Sequence, residues 1–200
     1  MAGVVVIDYG AGNLRSVTNA LAHLGVAHAV TDDPEVVARA AKIVLPGVGA
    51  AAACMRALRA RGLVDALRSC GAPVLGICLG MQVLAERSDE GDPPVECFGI
   101  LPGRVERFPE GLKVPHIGWN TVRALDQDDP LFHGVAVDAP FYFLHGYRLR
   151  TDPAFVLAET TYGAPYPSAV RRGRVWGVQF HPEKSGPAGL RLLRNFVERC

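Results

Sequence analysis

The chain has 200 residues, of which 49% are hydrophobic and 20% charged, and its formal net charge is +1. This is an ordinary globular balance, long enough for one α/β domain that buries roughly 70% of the unfolded chain's surface. Near-neutral charge gives no reason to expect nucleic acid or an anionic membrane as a partner, and no stretch approaches the roughly 18 uninterrupted apolar residues of a membrane span.

The segment from Met1 to Asp8 has no basic start and its apolar run ends at Asp8, so it does not read as a signal peptide. Val4–Ile7, bounded by Gly3 and by Asp8-Tyr9-Gly10, reads as a buried strand. A helix follows from about Asn13, with Leu14, Val17, Leu21 and Leu24 on one face and Gly25 where a C′ glycine belongs. Residues 28–30 form a second strand, and Asp33-Pro34 is an N-cap with an N1 proline opening a brief helix. Residues 42–45 are a third strand that runs into Pro46-Gly47-Val48-Gly49, and an Ala-rich helical stretch continues to about Ser69. Residues 73–77 are a fourth strand, with a helix from Leu79 to about Glu86. Such alternation implies right-handed crossovers and a mostly parallel sheet.

Beyond Ser88 the pattern changes to short β-like runs at 104–108, 141–145, 155–161, 169–171 and 175–180, separated by Pro, Gly and Asp, which predict antiparallel strands. Pro187 opens a last helix with Leu190, Leu193 and Val197 on one stripe. The expected fold is therefore α/β: an open, mostly parallel sheet flanked by helices with an added antiparallel β region, as a single domain over residues 1–200.

Cys54, Cys70, Cys78, Cys97 and Cys200 are odd in number and scattered, with no Cys-x-x-Cys pair. That argues against a disulfide framework or a zinc site and makes a reducing cytoplasm the expected home. No histidine, cysteine and carboxylate set has metal-ligand spacing, so neither metal nor cofactor is expected.

The chemistry concentrates at Gly76-Ile77-Cys78-Leu79-Gly80, which has the form of a nucleophile elbow with cysteine in place of serine. The turn is tight, so Gly76 and Gly80 meet its demand for small neighbours. Cys78 then sits at a helix N-terminus, where the dipole favours thiolate over thiol. The Leu79 amide is placed to stabilise a tetrahedral oxyanion. An arbitrary cysteine is more often a buried, inert thiol; the paired glycines between strand and helix weigh against that here.

A thiol nucleophile needs a base, and the base needs orienting. His181-Pro182-Glu183 lies just past a predicted strand, where residues two apart share a face. His181 would take the thiol proton and Glu183 would hold the imidazole. Alone this string is a turn histidine beside a solvated carboxylate; with the elbow it reads as a Cys78–His181–Glu183 triad. His23, His28 and His133 read as surface or packing residues, whereas His116 and His145 sit inside longer motifs. The Pro46–Gly49 loop lacks the Lys-Ser/Thr of a phosphate loop and the third glycine of a dinucleotide fingerprint. Loops at the carboxyl ends of neighbouring parallel strands share one crevice, so the backbone N–H groups of Gly47 and Val48 are candidates for the second oxyanion donor.

An elbow cysteine, a late His-x-Glu and a Pro-Gly loop ahead of both resemble the class I, triad-type glutamine amidotransferases. Ile7-Asp8-Tyr9-Gly10-Ala11-Gly12-Asn13-Leu14, Leu45-Pro46-Gly47-Val48-Gly49, Gly76-Ile77-Cys78-Leu79-Gly80-Met81-Gln82, Pro115-His116-Ile117-Gly118-Trp119-Asn120 and Gly177-Val178-Gln179-Phe180-His181-Pro182-Glu183-Lys184-Ser185 look like the glutaminase subunits of imidazole glycerol phosphate synthases, which serve histidine biosynthesis. The resemblance implies that glutamine is hydrolysed to glutamate and ammonia through a γ-glutamyl thioester on Cys78. The ammonia then passes, shielded from water, to a (β/α)8-barrel cyclase subunit bound as a heterodimer, which makes imidazole glycerol phosphate and an aminoimidazole carboxamide ribonucleotide.

By the same resemblance Gln82 and Glu90 bind the amino-acid end of glutamine, and His145-Gly146-Tyr147 holds its α-carboxylate through backbone N–H groups. Asn13, Trp119 and Lys184 fall at the subunit interface. Two departures stand out: Gly146 where Ser or Thr is usual, and Ala51 where an aromatic residue is common. Val48 stands where many relatives have glycine. A β-branched residue resists positive φ, so the amide there is expected to point away from the oxyanion at rest and to swing round when the partner is liganded. Rival readings are a triad glutaminase of pyridoxal 5′-phosphate synthesis, which should lack the His116–Asn120 string, a non-glutaminase elbow-cysteine hydrolase, and an inactive scaffold.

Overall fold

A computed structural model describes residues 3–200; Met1 and Ala2, part of the segment judged not to be a signal peptide, lie outside the described residues. Among the described residues no helix is long and apolar enough to cross a membrane.

The first half alternates as expected: β1 (Val4–Ile7), α1 (Leu14–His23), β2 (His28–Thr31), α2 (Pro34–Ala38), β3 (Lys42–Gly47), α3 (Ala51–Ala60), α4 (Leu63–Ser69), β4 (Val74–Cys78) and α5 (Leu79–Gln82). The second half is β5 (Arg87–Ser88), β6 (Val95–Glu96), β7 (Arg104–Arg107), β8 (His116–Ala124), β9 (Ala139–His145), β10 (Tyr147–Arg150), β11 (Val156–Tyr162), β12 (Ala164–Arg172), β13 (Val175–Val178) and α6 (Gly186–Arg199). Asp33 caps α2 by accepting the Glu35 N–H at 2.8 Å, and Gly25 ends α1 at φ +71°, both as the sequence predicts.

A nine-stranded sheet runs β2-β1-β3-β4-β13-β12-β11-β8-β9. The β2-to-β13 part is parallel, and the remainder joins antiparallel. A smaller sheet, β10-β7-β5-β6, lies apart from it. In β1, Val4 and Val6 pack with Leu21, Leu193 and Phe196, while Val5 and Ile7 pack with Met55, Leu58 and Leu67. Alternate residues of a strand face opposite sides, so α1 and α6 cover one face and α3 and α4 the other.

Three local expectations change. The Ala-rich stretch is two helices, because Gly62 adopts a left-handed φ of +68° after Arg61. The helix after Cys78 ends at Gln82, and the chain then turns into β5 rather than continuing to about Glu86. In α6 the buried stripe is Gly189, Leu192, Leu193, Asn195 and Phe196, with Leu190 and Val197 only half-buried. β8 was not among the predicted strands, because its pattern is inverted: His116 is buried while Ile117 and Trp119 are exposed.

Glycines permit a very close backbone approach around Cys78. A Cβ on Gly80 would overlap the Leu45 carbonyl; one on Gly76 would lie 2.6 Å from the Gly80 oxygen, and one on Gly47 2.7 Å from the Gly80 nitrogen. Backbone atoms do not yield as flexible side chains do. Gly80→Ala is therefore expected to destabilise the fold by about 3 kcal/mol in urea unfolding; an unchanged midpoint would contradict this packing.

Candidate active site

The carboxyl ends of β3, β4 and β13, neighbours in the sheet, converge on one crevice. Gly47 lies opposite Cys78 in register, and Val178 lies opposite Ile77. Chain leaving β13 therefore delivers His181 beside the cysteine. Cys78 has φ 54° and ψ −110°, and only it and Asp138 among the described non-glycine residues have positive φ. Such a conformation costs roughly 1–3 kcal/mol and persists only when its surroundings impose it; the interlocked Gly47, Gly76 and Gly80 backbones impose it here. Since α5 is a single turn of four residues, few peptide dipoles align behind the sulfur. The free N–H groups just after Cys78 supply the local positive field instead of a long helix.

His181 and Glu183 meet through a 3-10 turn over Pro182–Lys184, not through the two-residue period of a strand. His181 Nδ1 donates to Glu183 Oε1 at 2.8 Å, with both side chains buried. Asn13 Nδ2 donates to the same oxygen at 2.8 Å. Asn13 occupies the N-cap of α1 but makes no cap bond; its amide is spent on Glu183 instead. The Ser185 hydroxyl donates to the His181 carbonyl at 2.6 Å and accepts the Tyr142 N–H at 3.0 Å, pinning the turn to β9. Burial disfavours the imidazolium, but the Cys78 sulfur and the Glu183 carboxylate outweigh it and push His181 up to about 10. Its Nε2 makes no completed hydrogen bond, and the nearby sulfur favours a proton on the ring.

A cavity of about 230 Å³ opens over the sulfur, lined by Val48, Cys78, Leu79, Gln82, Glu90, Leu144, His145, Gly146, Tyr147, His181 and Lys184, with Gly49. Its size suits an amino acid more than the larger ligands that fill typical pockets of roughly 300–1,000 Å³. The sequence-derived substrate residues thus meet around one space. Gly47 lies beneath it and Glu183 behind His181. Trp119 is apart from the cavity, 58% exposed and edge-on to Tyr142 at 6.2 Å, while Lys184 lies 5.7 Å from the same Tyr142 ring.

Several of these residues are already engaged. Gln82 spends both amide hydrogens, on the Tyr147 carbonyl and on Gln179 Oε1, each at 3.0 Å, which leaves its own oxygen for a ligand. Glu90 Oε2 accepts the Ala51 N–H at 2.7 Å, so Ala51, which departs from the aromatic residue common at this place, engages the site through its backbone. At Gly146 a Cβ would press on Val114 Cγ1 at 3.2 Å, so Val114 occupies the room a Ser or Thr would need. Val48 is half-exposed and keeps negative φ, as expected for a β-branched residue. Gln179, buried and donating to Cys78 Sγ at 3.6 Å, was missed; its place two residues before His181 was the available signal. Among the described residues no His, Cys, Asp or Glu group could hold a metal ion.

The Glutamine amidotransferase class-I family model matches residues 5–200. The chain is 52% identical to the imidazole glycerol phosphate synthase subunit HisH of Symbiobacterium thermophilum, over 98% of this chain and 93% of that protein. It is 48% identical to the same subunit of Methylococcus capsulatus, over 98% and 96%. A solved structure described as a glutamine amidotransferase superposes with a TM-score of 0.76 at 25% identity, covering 98% of both chains.

Burial drives His145 down to about 3 from an ordinary 6.5, so it is neutral in the folded protein and charges when the chain unfolds. The unfolded state binds the extra proton between these values, so stability is full above 6.5 and falls as pH drops toward about 3. The expected slope is about 1.4 kcal/mol per pH unit. His145→Gln should flatten this slope in urea titrations above and within that window; an unchanged slope would contradict it.

Proposed function

Because the chain belongs to the class-I glutamine amidotransferase family, and within it to the HisH subunits of imidazole glycerol phosphate synthase, we propose that residues 1–200 act as one glutaminase domain that delivers ammonia to a (β/α)8-barrel cyclase subunit. The observation that carries the chemistry is the buried His181–Glu183 pair facing a strained cysteine in one amino-acid-sized cavity.

Cys78 passes its proton to His181 Nε2, and the sulfur attacks the side-chain carboxamide carbon of glutamine. Negative charge on the carboxamide oxygen falls to the Leu79 N–H and to the Gly47–Val48 loop. His181, held as imidazolium by Glu183, returns the proton to the departing nitrogen, and ammonia leaves a thioester on Cys78. Water, deprotonated by His181, releases glutamate and restores the thiol. Glu90 supplies a carboxylate for the substrate ammonium, the Gln82 oxygen takes a hydrogen bond from it, and backbone N–H groups of His145-Gly146-Tyr147 face its carboxylate.

The barrel subunit docks over the apolar rim formed by Ile117, Trp119, Leu144 and Val48, all exposed, with Lys184 at its edge. Five free cysteines fit a reducing cytoplasm. Asn13 contributes to this interface through its loop, since its amide is committed to Glu183.

Val48 gates the reaction. Turning its backbone N–H toward the oxyanion requires a φ that a β-branched residue resists. Glutamine hydrolysis should be low for the subunit alone and rise steeply with the barrel subunit and its nucleotide ligand. Cys78→Ala should abolish it. High activity of the isolated subunit would overturn the gate, and absence of glutamine turnover in the complex would overturn the function. Relieving the gate with Val48→Gly should raise the basal rate about tenfold, the equivalent of roughly 1–2 kcal/mol of backbone resistance, and shrink the stimulation by the partner; equal basal rates would contradict this role.

A further inference from the structure

A buried hydrogen-bond chain passes through the site, and one backbone group fixes the direction of all its bonds. The Tyr147 carbonyl can only accept. It takes the Gln82 side-chain N–H at 3.0 Å and the His145 Nδ1–H at 2.7 Å, which fills both lone pairs. Along one arm, the second Gln82 hydrogen goes to Gln179 Oε1 at 3.0 Å. The Gln179 amide therefore cannot be flipped, and its Nε2–H faces the Cys78 sulfur at 3.6 Å.

Along the other arm, His145 Nε2 must accept, and the Tyr166 hydroxyl donates to it at 3.1 Å. The Tyr166 oxygen then accepts from His116 Nδ1 at 3.3 Å, and His116 Nε2 accepts from Asn120 Nδ2 at 3.3 Å. Burial lowers both histidines, so each holds the single ring proton this pattern needs. Asn120 is itself anchored to the Thr161 carbonyl at 3.0 Å. Every donor has one acceptor, and no member can reverse without orphaning a buried group.

We propose that Gln179 is a catalytic residue, whose side-chain N–H stabilises the Cys78 thiolate, and that the chain from Asn120 through Tyr166 to Tyr147 positions it. The sulfur lies between unlike neighbours: the Leu144 carbonyl at 3.8 Å, to which the thiol can donate, and the Gln179 amide. When the proton moves to His181, the carbonyl contact loses its hydrogen and becomes repulsive. Gln179 then supplies a neutral side-chain donor for the sulfur's negative charge beside the new imidazolium, and its rigidity spares any reorganisation at that moment. The far end of the chain, Asn120, adjoins exposed Trp119, so a partner seated on that tryptophan bears on the strand that starts the chain. The inference rests on the glutaminase reading only for its effect on turnover; the contact with sulfur stands without it.

Iodoacetamide tests the contact directly. Burial raises Cys54 to about 12, Cys97 to about 11 and Cys200 to about 12, and raises Cys70 as well, so labelling of the whole chain at neutral pH reads Cys78, with mass mapping to verify the residue. Gln179→Leu should slow this alkylation about tenfold, the worth of one hydrogen bond to a charged group, and the difference should vanish at alkaline pH. Gln179→Glu, which keeps the acceptor for Gln82 but offers no donor to sulfur, should slow it at least as much and covers the case in which the leucine variant does not fold. Tyr166→Phe should slow it less, by a few-fold. If a folded Gln179→Leu or Gln179→Glu protein alkylates at the wild-type rate, the proposal fails. Slowed alkylation of the Gln179 variants, with a wild-type protein that hydrolyses no glutamine in the presence of its partner, would uphold Gln179 and overturn the glutaminase reading, so the two failures are distinguishable.

Discussion

The backbone turn after Cys78 lies so close to the strand beside it that the Leu45 carbonyl occupies the place of a Gly80 side chain. Gly47, Gly76 and Gly80 close this contact from three sides. That packing holds Cys78 at a positive φ, aims its sulfur out of the sheet, and leaves the N–H groups of the one-turn α5 without helical partners on the same side. The sulfur, the free N–H groups beside it and the cavity floor are thus one backbone construction. His181 is brought in by a neighbouring strand whose register is set by ordinary parallel pairing.

The polar side chains around this construction are conspicuous for how few choices they have. Glu183 Oε1 serves two donors, His181 and Asn13; the Tyr147 carbonyl likewise serves two. Rings of Phe108, Phe143 and Tyr162 surround His116 and His145 and keep water from competing. In such surroundings a satisfied network rigidifies and a broken one is costly. The charged pair and the neutral chain approach the same sulfur from different directions, the first favouring its negative charge and the second offering it an N–H.

Local rules read the first half of the chain well. The apolar run of β1, the cap at Asp33 and the C′ glycine at Gly25 each depend on neighbours a few residues away, and all three are as predicted. The elbow was legible because its glycines answer a steric demand within five residues, and the cavity gathers most of the residues singled out with it. What could not be read arises from distant contacts. Asn13 looks like a helix cap, but its amide crosses to a residue 170 positions later. Gln179 looks like a core polar residue until its partners 97 and 101 positions away are known. β8 hides because its exposed face carries Ile117 and Trp119, reversing the alternation that marks a strand.

The place of β13 has a consequence for biosynthesis. It is the last strand in the chain, yet it sits in the middle of the large sheet, between β4 and β12. A ribosome releasing this chain from its N-terminus exposes β2, β1, β3 and β4 first, with the inner edge of β4 unpaired and strongly apolar. The antiparallel part emerges next and has nothing to join. Only when residues 175–178 arrive do the halves meet, and with them comes His181. An unpaired edge of this kind is an aggregation hazard, and pairing across so long a stretch of chain is slow. The same delay separates the two halves of the site in time: the thiol is made early, but His181 joins it only when the sheet is whole.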